Sequence, residues 1–171
     1  MSEVSDAVQR IVRRFDLKPH PEGGFYREIY RADLLVEHRG IPSDPPARRA
    51  AGTFIYYLLA EGQISAFHRV QWTDEIWHLY SGGPLELHLI DEDGAYRVVT
   101  LTTTIEDGEP TAVVPAGCWQ AARLGPDAAW AFGGCTVAPG FDFRDFEMPR
   151  ADELLARFPQ HGALIRALTR R

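Results

Sequence analysis

The 171-residue chain carries 24 acidic and 18 basic side chains, a net charge of −6, with 45% hydrophobic and 11% aromatic residues. Lys18 is the only lysine and asparagine is absent, which excludes a phosphate loop ending in Gly-Lys-Ser/Thr, N-glycosylation, and any Schiff-base chemistry not resting on Lys18. The acidic balance argues against a nucleic-acid footprint, and no apolar run approaches the ~18 residues of a membrane span.

The first element expected is an amphipathic helix over residues 5–15. Ser5 can cap it, and Val8, Ile11, Val12 and Phe15 recur at the spacing of one buried helix face. The segment from Lys18 to Gly24 holds two prolines and two glycines and ends the helical pattern. Nine strand-like runs follow, over 25–30, 53–59, 65–70, 75–80, 85–90, 96–101, 111–114, 118–123 and 130–137. They are short, rich in β-branched and aromatic residues, and separated by turn signals. Asp91-Glu-Asp-Gly94 reads as a tight hairpin turn, because Asp-Gly tolerates positive φ. Leu85, Leu87 and Leu89 alternate with Glu86 and His88, the mark of a half-buried strand. The longest irregular stretch is 37–51, and loops of that length are commonly functional lids or mobile. Helical patterning returns after Phe146, with Leu154, Leu155 and Phe158 before Pro159, and again over 163–169. One domain spanning 1–171 is expected to form an all-β sandwich or barrel of the jelly-roll kind with short helices at both ends. With two cysteines, Cys118 and Cys135, and a charged N-terminus lacking an apolar signal core, the expected setting is cytoplasmic with reduced thiols.

The chemistry concentrates in one segment. Gly62 is followed after five residues by His68, then by Val70, Glu75 and, six residues on, Gly82. Pro115-Ala-Gly117-Cys-Trp-Gln120 forms a second cluster. Strand alternation puts His68 and Val70 on one face, Glu75 and Trp77 together, and His78 opposite them unless a bulge near Glu75 intervenes. Cys118 and Gln120 share a face. A buried imidazole beside a carboxylate makes an acid–base pair. Burial raises a glutamate pKa and a paired charge lowers it, so the protonation state is open at this stage. Tyr26, Tyr56, Tyr57 and Tyr80 are available as proton donors or anchors. His20 and Glu22 sit in the Gly-Pro turn, where a structural role and a pocket role are equally open. His88 and His161 read as packing or surface residues, and both cysteines as buried small hydrophobes. Cys118 has no basic neighbour in sequence to activate it. Phe141 and Phe143 read as packing residues near a barrel rim.

These two clusters resemble the paired motifs of the cupins, Gly-x5-His-x-His followed by Glu and Gly, and Pro-x-Gly-x-x-His, with Val70 and Gln120 standing where histidines are usual. His20-Pro-Glu-Gly-Gly-Phe-Tyr-Arg-Glu28, Ile55-Tyr-Tyr-Leu-Leu59, Asp74-Glu-Ile-Trp-His-Leu-Tyr80, Val114-Pro-Ala-Gly-Cys-Trp-Gln120 and Cys135-Thr-Val-Ala-Pro-Gly-Phe-Asp-Phe143 resemble the cupin-5 family in particular, over residues 16–158. The resemblance implies a jelly-roll barrel related to sugar-nucleotide epimerases and metal cupins, and a homodimer, but no settled reaction.

Three functions compete at this stage. The first is a small-molecule epimerase or isomerase acting on a polar, sugar-like or carboxylated metabolite. His68, Glu75 and Tyr57 would be its catalytic groups, and Glu22, Tyr26, Trp77, Trp119 and Arg69 would bind substrate, with Arg27 or Arg123 as further anion contacts. The second is a metal cupin of oxygenase, lyase or isomerase type, holding divalent Zn, Fe, Mn or Ni on His68, Glu75, Gln120 and His78. The third is a non-catalytic ligand-binding module.

Overall fold

The structure, a computed structural model, describes residues 6–170; Ser5, the expected helix cap, and Arg171 lie outside the described residues. Helix α1 (Asp6–Phe15) precedes β1 (Lys18–Pro19), β2 (Phe25–Arg31), β3 (Leu35–His38), β4 (Ala47–Ala50), β5 (Thr53–Ala60), β6 (Ile64–Val70) and β7 (Asp74–Gly82). There follow β8 (Leu85–Ile90), β9 (Tyr96–Leu101), β10 (Thr111–Val114), β11 (Trp119–Leu124), β12 (Trp130–Ala138) and β13 (Phe146–Glu147), then α2 (Ala151–Arg157) and α3 (Gly162–Ala167).

All nine expected strands are present. The stretch over 37–51, expected to be irregular, is corrected at both ends. Leu35 pairs with Ala50 and His38 with Ala47, so β3 and β4 make a separate antiparallel hairpin around a proline-rich turn. Its prolines and charges hide the strands from pattern reading, because burial alternates along β3 without a run of apolar residues marking the inner face, and β4 buries an arginine. At Asp91–Gly94 the expected tight turn forms. Gly94 N–H donates to the Asp91 carbonyl at 3.1 Å with φ +84° at Gly94, and Asp91 Oδ1 accepts from the Asp93 and Ala95 amides.

Two sheets face each other as a jelly roll. One has the order β1-β2-β5-β12-β7-β10 and the other β13-β6-β11-β8-β9. Between them lies a core of Tyr57, Leu59, Trp77, Leu79, Leu87 and Leu89 with smaller neighbours, as period-2 burial demands. The helices cover outer faces. Leu154, Phe158, Ile165 and Leu168 pack over Phe67, Trp119 and Ala121 of the five-stranded sheet. Val8 of α1 packs with Leu58, Ala60 and Phe132 outside the other sheet. Among the described residues no helix is long and apolar enough to cross a membrane.

Candidate active site

One irregularity in the barrel wall builds the site. In β6 the register against β11 shifts: Gln120 pairs with His68, but Ala122 pairs with Ser65. Three residues of β6 therefore span what two span on β11, a β-bulge of the kind that re-aims side chains beside active sites. Ser65 and His68, which regular alternation would place on opposite faces, both point into the barrel. The backbone of Ala66, freed from the ladder, is used on both sides. Its N–H donates to the Glu22 carbonyl at 2.8 Å, and its carbonyl lies 2.8 Å from His68 Nδ1.

Glu22 arrives from the turn between β1 and β2. That turn is closed by His20 N–H to the Gly24 carbonyl at 3.0 Å and Gly23 N–H to the His20 carbonyl at 3.1 Å. Gly23 has φ +119°, and a Cβ there would lie 1.9 Å from the Ile64 carbonyl oxygen. Only glycine allows this close crossing of β6. The Tyr57 hydroxyl donates to the Gly23 carbonyl at 2.8 Å and ties the turn down. Tyr57 is buried in the core outside the cavity lining, with its hydroxyl close to the Glu22 carboxyl and Ser65.

The carboxyl so delivered is buried and fully engaged. Ser65 Oγ donates to Glu22 Oε1 at 2.9 Å, and His68 Nε2 lies 3.1 Å from Glu22 Oε2. His20 Nδ1 is 3.5 Å from the same oxygen and accepts from the Glu22 amide at 3.3 Å. A carbonyl oxygen only accepts, so His68 Nδ1 must carry hydrogen, and the Nε2–Oε2 contact holds a single proton when the pair is neutral overall. Burial drives both partners toward their uncharged forms: it pushes Glu22 above the usual carboxylate range and His68 and His20 below the usual imidazole range.

Glu75 opens β7 and faces the same cavity. Its Oε2 accepts from Gln120 Nε2 at 2.6 Å, while Trp77 Nε1 donates to Gln120 Oε1 at 2.8 Å. An indole nitrogen only donates, so this bond fixes which end of the amide is oxygen. Burial raises the Glu75 carboxyl, as does nearby Glu22, against the opposing pull of His68. The Cys135 thiol also lines the cavity, pushed well up by burial and by Glu75, and stays an unreactive thiol.

The cavity has a volume of about 300 Å3. His20, Glu22, His68 and Glu75 form its polar end, and Tyr26, Phe141, Phe143 and Phe146 its aromatic wall. Thus His68, Glu75, Glu22 and Tyr26 meet as the sequence suggests, and His20 takes the pocket role that its turn leaves open. Other expected site residues do not come to the cavity. Trp119 lies under α2 on the outer face, with the Arg69 guanidinium 4.4 Å over its ring, and Arg69 Nε donates to Glu147 at 2.6 Å. Trp77 stays out of the cavity lining and reaches the site through its bond to Gln120. Arg27 donates to the Phe15 carbonyl and Arg123 to Glu86, both at the surface. His78 points outward and bonds Thr136 Oγ1 at 3.0 Å, as unbroken alternation from Glu75 requires. Cys118 is buried with its thiol against the Ile90 carbonyl at 3.4 Å. Cys135 and the Phe146 ring, 5.4 Å from the His68 ring, are cavity groups that pattern reading does not single out.

The four expected metal positions fail as a ligand set. His78 faces away, Val70 presents methyl groups to the cavity, and Gln120 turns its amide nitrogen toward Glu75 with its oxygen held by Trp77. Only His68 and Glu75 remain, too few for a transition metal in a cupin barrel. Among the described residues no group of three His, Cys, Asp or Glu side chains is arranged to hold a metal ion.

The family model Cupin_5, described as Cupin superfamily (DUF985), matches residues 9–149. A solved structure of a hypothetical protein from Leishmania major superposes with a TM-score of 0.86 at 33% identity, covering 95% of this chain and 98% of that one. A protein from Shewanella oneidensis gives 0.82 at 35% identity, with 95% and 96% covered. The uncharacterized protein YML079W of Saccharomyces cerevisiae is 28% identical over 165 residues, 91% of this chain and 81% of the relative. Oxalate decarboxylase of Bacillus subtilis, a protein with Mn(II) centres, is similar in fold alone. One solved form of that enzyme gives a TM-score of 0.53 at 17% identity over 90% of this chain and 38% of that one.

Proposed function

The chain belongs to the Cupin_5 family of the cupin superfamily, and from that premise we propose that it is a small-molecule isomerase or epimerase working by proton transfer inside the barrel. The observation that carries this reading is the contact of 3.1 Å between His68 Nε2 and Glu22 Oε2, with the other imidazole nitrogen pinned by the Ala66 carbonyl. A buried pair that shares one proton is poised to give or take it at little reorganisation cost.

Glu75, in its carboxylate form, takes the proton from a carbon beside a substrate carbonyl. The Glu22–His68 pair delivers its own proton to the carbonyl oxygen, giving an enol. Reversal returns one proton to carbon and one to the pair, on the same face or the other, so no redox partner or co-substrate is consumed. Two carboxyl groups with different partners, one on imidazole and one on an amide, suit the separate acid and base roles. No step is assigned to a metal, because the donor set does not fit one.

The test is solvent exchange. Candidate carbonyl metabolites incubated with the protein in deuterium oxide are read by mass spectrometry for label gained at carbon. Label gained with the unaltered chain and lost in both Glu22→Gln and His68→Gln supports the reading, provided the variants keep their circular dichroism. Undiminished labelling in either variant would overturn it.

A homodimer belongs to the same proposal. The outer face of the six-stranded sheet leaves Tyr80 and Val113 about half exposed, next to partly buried Phe54, Ile76 and His78, an apolar face that a second copy would cover. Sedimentation equilibrium giving twice 19.2 kDa at micromolar concentration supports it, and a monomer overturns it.

A further inference from the structure

The cavity joins an aromatic wall to a polar end made of acids without cations. Phe141, Phe143 and Phe146 pack edge to face on one another with centroids 4.9–5.9 Å apart. Tyr26 lies across from them in the lining and meets the His20 ring at 4.4 Å. Such surfaces present ring edges and faces to whatever enters.

Charge is distributed unevenly around them. Glu22 and Glu75 have as near partners imidazoles, the Ser65 and Tyr57 hydroxyls, an amide and the Cys135 thiol, none of them Lys or Arg. Arg31 is the one cation among the described lining residues. Its Nε and one terminal nitrogen donate to both oxygens of Glu28 at 2.9 and 2.6 Å, and the other terminal nitrogen to the Phe141 carbonyl at 3.1 Å. Each guanidinium nitrogen thus makes one bond, and the charge is paired with Glu28. Arg49, behind the aromatic wall, is bound by Asp145. Arg170, which acts on Glu22 from a distance, lines a separate groove on the far side of His20. An anionic ligand would therefore enter past a guanidinium already paired with Glu28 and would face two buried carboxyls.

We infer that the cavity selects a ligand with one flat apolar ring and a neutral or cationic polar end, and discriminates against anions. The ring lies against Tyr26 and the phenylalanine wall, and the polar end reaches Glu22, His68 and Glu75. This rests on the acid–base reading only for where the reacting end sits, and it replaces the carboxylated substrate expected from the sequence with a ring-bearing, non-anionic one. The volume of about 300 Å3 fits a single substituted ring and not a sugar nucleotide.

The test uses small probes and the full chain labelled with 15N in its histidines. Benzylamine, benzyl alcohol, phenylacetate and ethylamine are titrated while the His68 ring signals are followed. Benzylamine and benzyl alcohol are expected to shift His68 and to bind about ten-fold or more tighter than phenylacetate. Ethylamine, which lacks the ring, is expected to bind at least about ten-fold more weakly than benzylamine. Glu75→Gln should narrow the preference for benzylamine over phenylacetate several-fold. Phenylacetate binding as tightly as benzylamine, ethylamine matching benzylamine, or no probe moving His68 would each overturn the inference. Failure here and failure of the enzymatic reading are distinct: phenylacetate preference with deuterium exchange intact sinks the ligand class alone, whereas ring binding with no exchange in any compound sinks the isomerase alone.

Discussion

Two buried charge clusters flank the aromatic wall, and they are built on opposite plans. In one, Arg49 of β4 meets Asp145 through two parallel bonds of 2.7 Å, both side chains almost fully buried, with Asp142 a further 4.0 Å contact. Every charge there has a full opposite charge in fork geometry. In the other, Glu22, His68, His20 and Glu75 share a small number of protons among weak acids and bases, with no Arg or Lys in contact. The first cluster fixes the three-residue turn Phe143–Asp145, hence the wall, to the β3–β4 hairpin. Its hydrogen bonds are fixed by that geometry. The second is satisfied hydrogen bond by hydrogen bond yet indifferent about where one proton sits. A buried ion pair is structural when its charges are fixed, and chemical when they are not.

Cutting the fixed pair should have the largest effect on stability. Asp145→Ala leaves the Arg49 guanidinium buried with only the longer Asp142 contact and the Arg48 carbonyl, and equilibrium denaturation should show a loss of about 3–5 kcal/mol. A loss below about 1 kcal/mol would erase the distinction between the clusters. Next comes the turn that carries Glu22. Gly23→Ala forces a methyl onto the Ile64 carbonyl at a positive φ, for an expected cost of about 2 kcal/mol or more, together with loss of proton exchange. Glu22→Gln should be nearly silent in stability, within about 1 kcal/mol because an amide can keep the Ser65 and His68 contacts. It should nonetheless slow proton transfer by about 100-fold or more. If denaturation instead showed Glu22→Gln to be as harmful as Asp145→Ala, both clusters would be structural.

The smallest expected effect is in pH dependence. Burial holds the Glu75 carboxyl above its ordinary value of 4.5, so the folded chain keeps that proton more tightly than the unfolded chain. The associated stability is complete below the unfolded value and is lost as pH rises through the folded one. Glu75→Gln removes this loss. Its melting temperature relative to the unaltered chain should therefore rise as pH increases above the ordinary carboxyl value of 4.5, and a flat or falling difference by calorimetry would count against a raised carboxyl.

What the sequence reveals follows period and spacing. The strands and the placing of His78 on the face opposite Glu75 come from alternation with a period of 2, the inward direction of His68 and Glu75 comes from the motif resemblance, and all of these stand in the structure. The fate of Gln120 is half visible: its motif place beside the His68 site is legible, its capture by Trp77 is not, because that bond crosses from one sheet to the other. Glu22 is readable as a pocket residue but not as the partner of His68, since a glycine turn carries it across 46 positions of sequence. The β6 bulge leaves no composition signal at all. Trp119 misleads for an ordinary reason. A tryptophan beside a motif residue looks like a ligand platform, yet the next position on a strand faces the other way, and here that side is roofed by α2.

The bulge also has a consequence for how this site can be dissected. Deleting Ala66 would give a regular strand in which Ser65 and His68 still face inward, because two positions then separate them. What would vanish is a peptide group: the N–H that holds the Glu22 carbonyl and the C=O that decides which nitrogen of His68 bears hydrogen. A working part of the site is thus main chain, carried by a residue whose side chain is a single buried methyl. Systematic side-chain replacement would pass over it. Loop-length variation, or an amide-to-ester exchange at this one linkage, would find it.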